Sequence, residues 1–281
     1  MLDSSGVRSE IRVTLAQILM SSKELSLYIE VYNFFLDLIK KNGVELEKLN
    51  VRTDQEVNLF LGLELAFGEF CIVNHHYCKR HYCESLKTNL VKKGSISWVT
   101  YGRSLYNEDF NQFYQKLKII GLLPADLIIE MKEFLISELM LKFDAPSFIS
   151  YVRHKIDKNF ARRLSYYETL KNTETYVPVT TNASESQNSI LNRFLVSLSK
   201  SSKLITIIRN SRQFFTSEYR QAESQWEKQN SDYRPSANAQ SNFLKAKAFI
   251  RKIDKTSLKP HKLTLKKISK LMDPNNFYGS D

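Results

Sequence analysis

Residues 125–170, ADLIIEMKEFLISELMLKFDAPSFISYVRHKIDKNFARRLSYYETL, contain the clearest structural signal in the chain. Pro124 just ahead suits the first turn of a helix, and the acidic residues Asp126, Glu130 and Glu133 suit its positive N-terminal end. Between residues 126 and 143 the apolar residues recur at spacings of three, four and seven: Leu127, Ile128, Phe134, Leu135, Leu139 and Phe143. The spacing predicts a helix over residues 126–143.

A second helix is predicted after a short break at residues 144–147. Pro146 disfavours a helical conformation at Ala145, and Ser147 can cap a new helix. One side of this helix is apolar: Phe148, Tyr151, Val152, Ile156, Phe160 and Leu164. The other side is strongly cationic: Arg153, His154, Lys155, Lys158, Arg162 and Arg163. The cationic side is either a ligand-binding surface or the solvated face of a helical core.

The order of these features resembles the second conserved region of sigma-70-type initiation factors. An acidic Asp-Leu helix, an aromatic-Asp turn and a helix that opens Phe-x-x-Tyr and ends in basic residues follow one another. The matching positions are Asp126, Leu127, Glu130, Phe143, Asp144, Phe148, Tyr151, Ile156, Asn159, Arg162 and Arg163. The resemblance implies that Asp126, Glu130 and Asp144 contact RNA polymerase. It also implies that the second helix contacts promoter DNA, with Tyr151 stacking on a base.

The match to this family covers about 45 residues of the chain and departs from the family pattern in two ways. Ile129 stands where the family usually has Gln. Residues 262–272 can form the first helix of a helix-turn-helix, but the sequence ends before a reading helix. The second promoter-reading domain of the family is therefore not evident.

Composition favours a helical protein. The chain has 281 residues, of which 42% are hydrophobic, and only 8 Gly and 6 Pro. Few obligatory turns favour long helices with short connections over sandwiches or barrels. We expect an all-α or predominantly α multi-helix globular protein with a basic C-terminal helical region.

Charge and cysteine content limit the partners and the location. Lys and Arg exceed Asp and Glu by 41 to 30, a net charge of +11, which favours an anionic partner. Neither a secretory signal nor a membrane span is evident, since Glu30, Asp37, Glu64 and Glu69 interrupt the most apolar windows. Three cysteines within 13 residues do not form a disulfide framework. We expect a cytoplasmic protein.

The N-terminal part is expected to be helical. Residues 9–41 carry apolar positions at helical spacing with an interruption at residues 21–22, and Asn42-Gly43 supplies a helix stop. Residues 53–90 are a second long helical candidate, with Thr53 as the cap and Glu56 at the capping-box spacing. Residues 92–107 alternate between polar and β-branched or aromatic residues, which indicates a short strand or an extended loop.

A cluster of cysteines and histidines lies within that second candidate, in FCIVNHHYCKRHYC (residues 70–83). On a helix Cys71, His75 and Cys78 share one face, and three such ligands can contact one zinc ion. A closed structural site needs a fourth ligand, for which His154 or His261 is available. The alternative is that the cysteines are small buried residues of the core and no cofactor is bound.

The C-terminal part is expected to form a basic helical region. Residues 172–189 are rich in Thr, Ser and Asn and indicate a linker between a domain of residues 1–171 and a region of residues 190–281. Helices are predicted over residues 190–208, 212–228 and 237–272, the last broken near Pro260. The cations of residues 237–272 can neutralise phosphates. The candidate nucleic-acid contacts among them are Lys245, Arg251, Lys252, Lys262, Lys266 and Lys267.

No catalytic arrangement is evident. The sequence has no Gly-rich phosphate loop, no Gly-x-Ser-x-Gly turn and no His-Glu-x-x-His helix. The leading hypothesis is a helical DNA-binding protein that acts in transcription and contacts RNA polymerase. Two alternatives remain: an interaction or structural protein that binds an acidic protein or a membrane surface, and a replication protein or nucleoprotein of a mobile element or virus.

Overall fold

The computed structural model describes residues 20, 22–43, 49–68, 72–93, 108–141, 146–173, 204–227, 237–257 and 263–273. Contacts between Cα atoms divide the chain into two compact units, residues 1–22 with 180–236, and residues 23–179 with 237–281. This division differs from the expected boundaries at residues 171 and 190. The difference arises because residues 237–281 group with the N-terminal helices.

Most of the described residues are helical, which confirms the predicted fold class. The elements of the larger unit, residues 23–179 and 237–281, are α1 (Leu25–Lys41), β1 (Leu49–Thr53), α2 (Val57–Phe67), β2 (Ile72–Tyr77), α3 (Lys79–Lys93), α4 (Glu108–Ile119), a 3-10 turn (Ile120–Leu122), α5 (Ala125–Met140), α6 (Pro146–Lys155), α7 (Lys158–Leu164), α8 (Tyr167–Lys171), α10 (Ala237–Ser257) and α11 (Leu263–Leu271). The smaller unit contributes α9 (Leu204–Glu227).

A pair of parallel strands replaces part of a predicted helix. Val51 of β1 lies opposite His75 of β2, Thr53 lies opposite Tyr77, and α2 connects the two strands. The prediction of one continuous helix over residues 53–90 is therefore wrong, although α2 and α3 confirm helix on both sides of β2, and Thr53 ends a strand instead of capping a helix. Gly68, at a φ of 76°, follows the last residue of α2, and the β-branched and aromatic residues after it suit a strand.

The first helix of the larger unit ends where the sequence predicts. Asn42 follows the last residue of α1, and the amide of Gly43 donates to the carbonyl of Lys40 at 3.0 Å. Gly43 has a φ of 68°, in the left-handed region that a glycine adopts without strain. The helix expected upstream of Ser21 lies outside the described residues. Of the strand or loop expected over residues 92–107, Lys92 and Lys93 belong instead to α3, and residues 94–107 lie outside the described residues.

Helix α5 is the central helix of the larger unit. It contacts α4, α6, α7 and α11, and its inward face is fully apolar apart from Lys132. Its buried apolar residues are Ile128, Met131, Leu135, Ile136 and Leu139. The predicted helix is confirmed as far as Met140, and Phe143 lies outside the described residues.

The predicted second helix is two helices, α6 and α7. Between them, the Asp157 carboxylate accepts a hydrogen bond from the amide of Phe160 at 2.7 Å and so caps α7. Lys132 of α5 donates to the carbonyl of Ile156 at 3.1 Å, beyond the end of α6. The prediction of one continuous helix is therefore wrong, because Asp157 and Lys132 stabilise a break. The apolar face is as predicted: Phe148, Val152, Ile156, Phe160 and Leu164 are buried and Tyr151 is half-buried.

The C-terminal helices pack on the same core as the N-terminal ones. The apolar residues that anchor α10 and α11 there are Phe249, Ile250, Ile253, Ile268 and Met272. The Tyr167 hydroxyl of α8 donates to the Asp254 carboxylate, and Lys171 Nζ lies 3.3 Å from the same carboxylate oxygen. Leu244 and Ala248 are apolar but exposed, because they lie on the opposite side of α10 from this core.

In the smaller unit, α9 is continuous through residues 209–211, where the sequence predicted a break. Phe214 and Phe215 are half-buried, and their rings pack edge to face with centroids 5.5 Å apart. Arginines on either side of the polar Asn210-Ser211 pair favour the helical conformation, which explains the continuity. Among the described helices, α9 included, none is long and apolar enough to cross a membrane.

Candidate anion-binding surfaces

Two residues of the predicted DNA-binding face have partners within the protein. Arg153 Nε donates to Glu133 Oε2 at 3.1 Å. The Tyr151 hydroxyl shares a hydrogen bond with Ser85 Oγ at 2.8 Å, and burial raises the pKa of Tyr151. These contacts compete with the phosphate contact predicted for Arg153 and the base stacking predicted for Tyr151.

Two further cations of that face pack against aromatic rings. Arg163 Nη2 lies 3.0 Å from Glu64 Oε1, and its guanidinium carbon is 4.1 Å from the centre of the Phe60 ring. Lys155 Nζ lies 4.8 Å from the centre of the Phe160 ring, and burial lowers the pKa of this lysine. Both residues thus contribute cation–π contacts to the packing of the fold.

Lys158 and Arg162 are the cations of the predicted face that have no such contact in the described part of the fold and can bind a ligand. Both are exposed on α7 and lie four residues apart, on one face of the helix. Neither forms an ion pair with an acidic side chain among the described residues. Of the six residues of the predicted cationic face, Arg153 and His154 are exposed as well, but Arg153 is paired with Glu133.

Helices α10 and α11 expose most of the cations that the sequence predicts to contact phosphate. Arg251, Lys252, Lys266 and Lys267 are exposed, whereas Lys245 is half-buried and Lys262 lies outside the described residues. The acid within this stretch, Asp254, is already engaged by Tyr167 and Lys171. The outward side of these helices therefore carries a surplus of positive charge.

An arginine face on α9 was not identified from the sequence. Arg209, Arg212 and Arg220 are exposed, and together with Gln213, Thr216 and Ser217 they form one side of an open surface groove of about 480 Å³. All the described residues that line this groove are cations or neutral polar residues. The sequence signal for this face is the spacing of three, four and four residues through Arg209, Arg212, Thr216 and Arg220, which places them on one side of the helix.

The acids expected to contact a protein partner are partly described. Asp126 and Glu130 are exposed and lie one turn apart near the start of α5, and neither pairs with a cation in the described part of the chain. Asp144 lies outside the described residues. Asp126 is favoured in the first turn by the helix dipole, so its position has a structural explanation that requires no protein partner.

The three candidate zinc ligands do not share a helix. His75 lies on β2, where its Nε2 is 2.7 Å from Thr53 Oγ1, and Cys78 is fully buried just after the strand. Cys71 lies outside the described residues. The spacing argument for zinc fails because the segment forms a strand, and the described residues contain no cluster of three groups suited to a metal ion.

The neighbouring His76 is buried in the fold. Its ring stacks on Tyr166 with centroids 4.6 Å apart, and its Nε2 lies 2.7 Å from Thr169 Oγ1. Burial, together with the nearby charge of Arg52, lowers the pKa of His76 to about 4. His76 is therefore uncharged at neutral pH and contributes to packing and not to the positive surface.

Comparison with protein-family models, curated proteins and solved structures finds no significant match to this chain. Its function is therefore inferred from its own side chains. What the described residues offer is a set of exposed cations on α7, α9, α10 and α11. Of these, the α9 face combines arginines with neutral hydrogen-bonding side chains and has no acidic residue among its described lining.

Proposed function

We propose that the protein binds nucleic acid, with the arginine face of α9 as its principal phosphate contact. Arginine, serine, threonine and glutamine are the side-chain types that commonly contact phosphate, and all four line the α9 groove. The arginine guanidinium is always charged and can bind a phosphate through two parallel hydrogen bonds. The α9 groove is the observation that carries the proposal.

The dimensions of this face suit a run of phosphates. Arg209 and Arg220 are 11 positions apart, so the face extends about 17 Å along the helix at roughly 1.5 Å per residue. This length corresponds to about five base-pair steps of roughly 3.4 Å. The exposed cations of α7, α10 and α11 supply further phosphate contacts in this proposal, and none of these contacts requires a particular base sequence.

The finer proposal is that the nucleic acid is DNA and that the protein acts in transcription. Its support is the resemblance of residues 125–170 to the second conserved region of sigma-70-type factors. In this proposal Asp126 and Glu130 contact RNA polymerase, while Lys158 and Arg162 contact the DNA backbone. Arg163 and Tyr151 have smaller roles than the resemblance implies, because each is held by a contact inside the fold.

Fluorescence anisotropy tests the general proposal. Labelled duplex DNA, single-stranded DNA and RNA are titrated with the protein over a series of salt concentrations. The proposal requires binding that persists near about 150 mM salt and weakens steeply as the salt concentration rises, because bound cations release counterions from the phosphates. Absence of binding to all three ligands at that salt concentration would remove the proposal.

A polymerase pull-down tests the finer proposal. Recovery of RNA polymerase by the wild-type protein, with reduced recovery by an Asp126→Asn/Glu130→Gln variant, is the result expected of a transcription factor. An Asp37→Asn/Glu30→Gln variant is the matched control, because both residues are exposed on α1. Nucleic-acid binding without polymerase recovery would favour the replication protein or nucleoprotein hypothesis instead.

A further inference from the structure

A second groove, of about 320 Å³, lies between α4, α5 and α11 in the larger unit. Its apolar lining includes Phe113, Leu135 and Leu139, which also belong to the hydrophobic core. Leu141, at the end of α5, lines it as well and is 87% exposed. The groove therefore offers an apolar floor that is continuous with the core and an apolar side chain at its rim.

Three lysines line the same groove. Lys266 and Lys270 lie one turn apart on α11, and both are exposed. Lys116 of α4 is held at the wall, because its Nζ donates to Ser269 Oγ at 2.9 Å and Ser269 is only 4% exposed. The acidic residue in the described lining is Glu138, so the described lining residues carry a net charge of +2.

We propose that this groove binds an amphipathic anion, a small molecule with an apolar chain and a carboxylate or phosphate head. Ammonium groups of the lysines bind the head, and the leucine and phenylalanine side chains bury the chain. Ligand sites commonly measure about 300–1,000 Å³ and combine apolar walls with a few placed polar groups. A groove near the lower end of that range suits a small, single-chain ligand.

The groove shares Lys266 with the exposed cations of α11 that the proposed function assigns to phosphate, but its apolar floor distinguishes it from a nucleic-acid contact. A nucleic-acid strand would bring its phosphates to the lysines but would leave the apolar floor unused. Glu138 would also repel additional phosphates along the strand. A compact anion with one charged head brings a single charge near Glu138 and covers the floor, so it fits the groove better than a polyanion.

Isothermal titration calorimetry with decanoate as the probe tests the proposal on the full chain, without nucleic acid present. Acetate carries the same head without the chain, and decyltrimethylammonium carries the same chain with the opposite charge. We expect saturable binding of decanoate at one site and no measurable binding of either control compound. Equal uptake of the decyl cation would show unspecific apolar binding and overturn the proposal.

Paired variants locate the site. Lys266→Gln/Lys270→Gln removes two of the groove lysines, and Lys255→Gln/Lys267→Gln removes two exposed lysines of α10 and α11 that do not line the groove. All four positions are exposed, so both variants are expected to fold. We expect decanoate affinity to fall about tenfold or more in the first variant and to change less than about twofold in the second.

Two results of the paired experiment contradict the proposal. Equal losses of affinity in both variants would mean that net charge, and not the groove, controls decanoate binding. Binding of the protein to vesicles of phosphatidylglycerol in phosphatidylcholine, with no binding of dissolved decanoate, would make the surface a membrane contact. A failure of either kind leaves the anisotropy result for nucleic acid unaffected, because the two experiments share no ligand.

Discussion

Arg163 of α7 donates a hydrogen bond of 3.0 Å to Glu64 of α2, which lies 99 positions earlier in the chain. The guanidinium also lies over the Phe60 ring, 4.1 Å from its centre. The Arg163 side chain is 21% exposed and that of Glu64 is 29% exposed, so water screens the pair only in part. Arg163 thus connects two helices of the fold, although the resemblance of residues 125–170 to sigma factors implies a contact with DNA.

Replacing Arg163 is expected to lower stability. Arg163→Ala leaves the Glu64 carboxylate without its partner and removes the cation–π contact, so we expect the free energy of unfolding to fall by about 1–3 kcal/mol. Arg162→Ala, at the exposed neighbouring position, is the control and should change it by less than about 0.5 kcal/mol. Urea denaturation measures both values, and equal stabilities of the two variants would contradict the structural role of Arg163.

Gly121 is expected to tolerate no side chain. A Cβ atom built at Gly121 would lie 2.7 Å from the carbonyl oxygen of Leu164, which is backbone and cannot turn aside. The neighbouring amide of Tyr166 donates to the Gly121 carbonyl at 2.8 Å, so a shift would disturb this hydrogen bond as well. We expect Gly121→Ala to reduce the free energy of unfolding by about 1–3 kcal/mol.

The control for Gly121 is Asn159→Ala, an exposed position of α7, which should remain within about 0.5 kcal/mol of the wild-type protein. Thermal unfolding followed by circular dichroism compares the two variants. A midpoint for Gly121→Ala that equals the wild-type value would show that the 3-10 turn and the end of α7 are not in close contact.

Stability is expected to fall as the pH falls below about 6.5, with His76 as one cause. Burial lowers the pKa of His76 to about 4, whereas the unfolded chain has a histidine pKa of about 6.5. Between these values the unfolded state binds a proton that the folded state excludes, so acid favours unfolding. At about 1.36 kcal/mol per pKa unit, the loss from His76 approaches about 3 kcal/mol at pH 4.

The contribution of His76 is measured as a difference between variants. The urea midpoint is recorded from pH 7 to pH 4 for the wild-type protein, for His76→Gln and for His154→Gln, which alters an exposed histidine of α6. We expect a shallower dependence on pH in His76→Gln and an unchanged dependence in His154→Gln. Identical pH dependence in all three proteins would show that His76 does not exclude the proton.

The elements that the sequence predicts well are those whose signal is local. The apolar spacing through Ile128, Leu135 and Leu139 identifies α5, and the same helix is the centre of the packed core. Asn42-Gly43 marks the end of α1 because the left-handed conformation of Gly43 is a property of that residue alone. The basic character of α10 and α11 is likewise evident from the residues of those helices.

The features that the sequence does not predict depend on distant partners. β2 is stabilised by pairing with β1, where His75 and Val51 are register partners, and the helical spacing of the Cys and His residues concealed this pairing. Lys132 can be buried because the carbonyl of Ile156 accepts a hydrogen bond from its Nζ, and neither residue indicates the other in sequence. The engagement of Arg163 and Tyr151 inside the fold has the same origin.

The most direct test of the proposed nucleic-acid function is the salt dependence of duplex DNA binding by two variants with equal loss of charge. Arg209→Gln/Arg212→Gln removes two arginines of the α9 face, and Lys40→Gln/Lys41→Gln removes two exposed lysines at the end of α1. Anisotropy titrations give the slope of the logarithm of the binding constant against the logarithm of the salt concentration. Each phosphate contact contributes about 0.9 to the magnitude of this slope. We expect the magnitude to fall by about 1.8 in the arginine variant and to stay at the wild-type value in the lysine variant, whereas equal slopes in all three proteins would contradict the α9 contact.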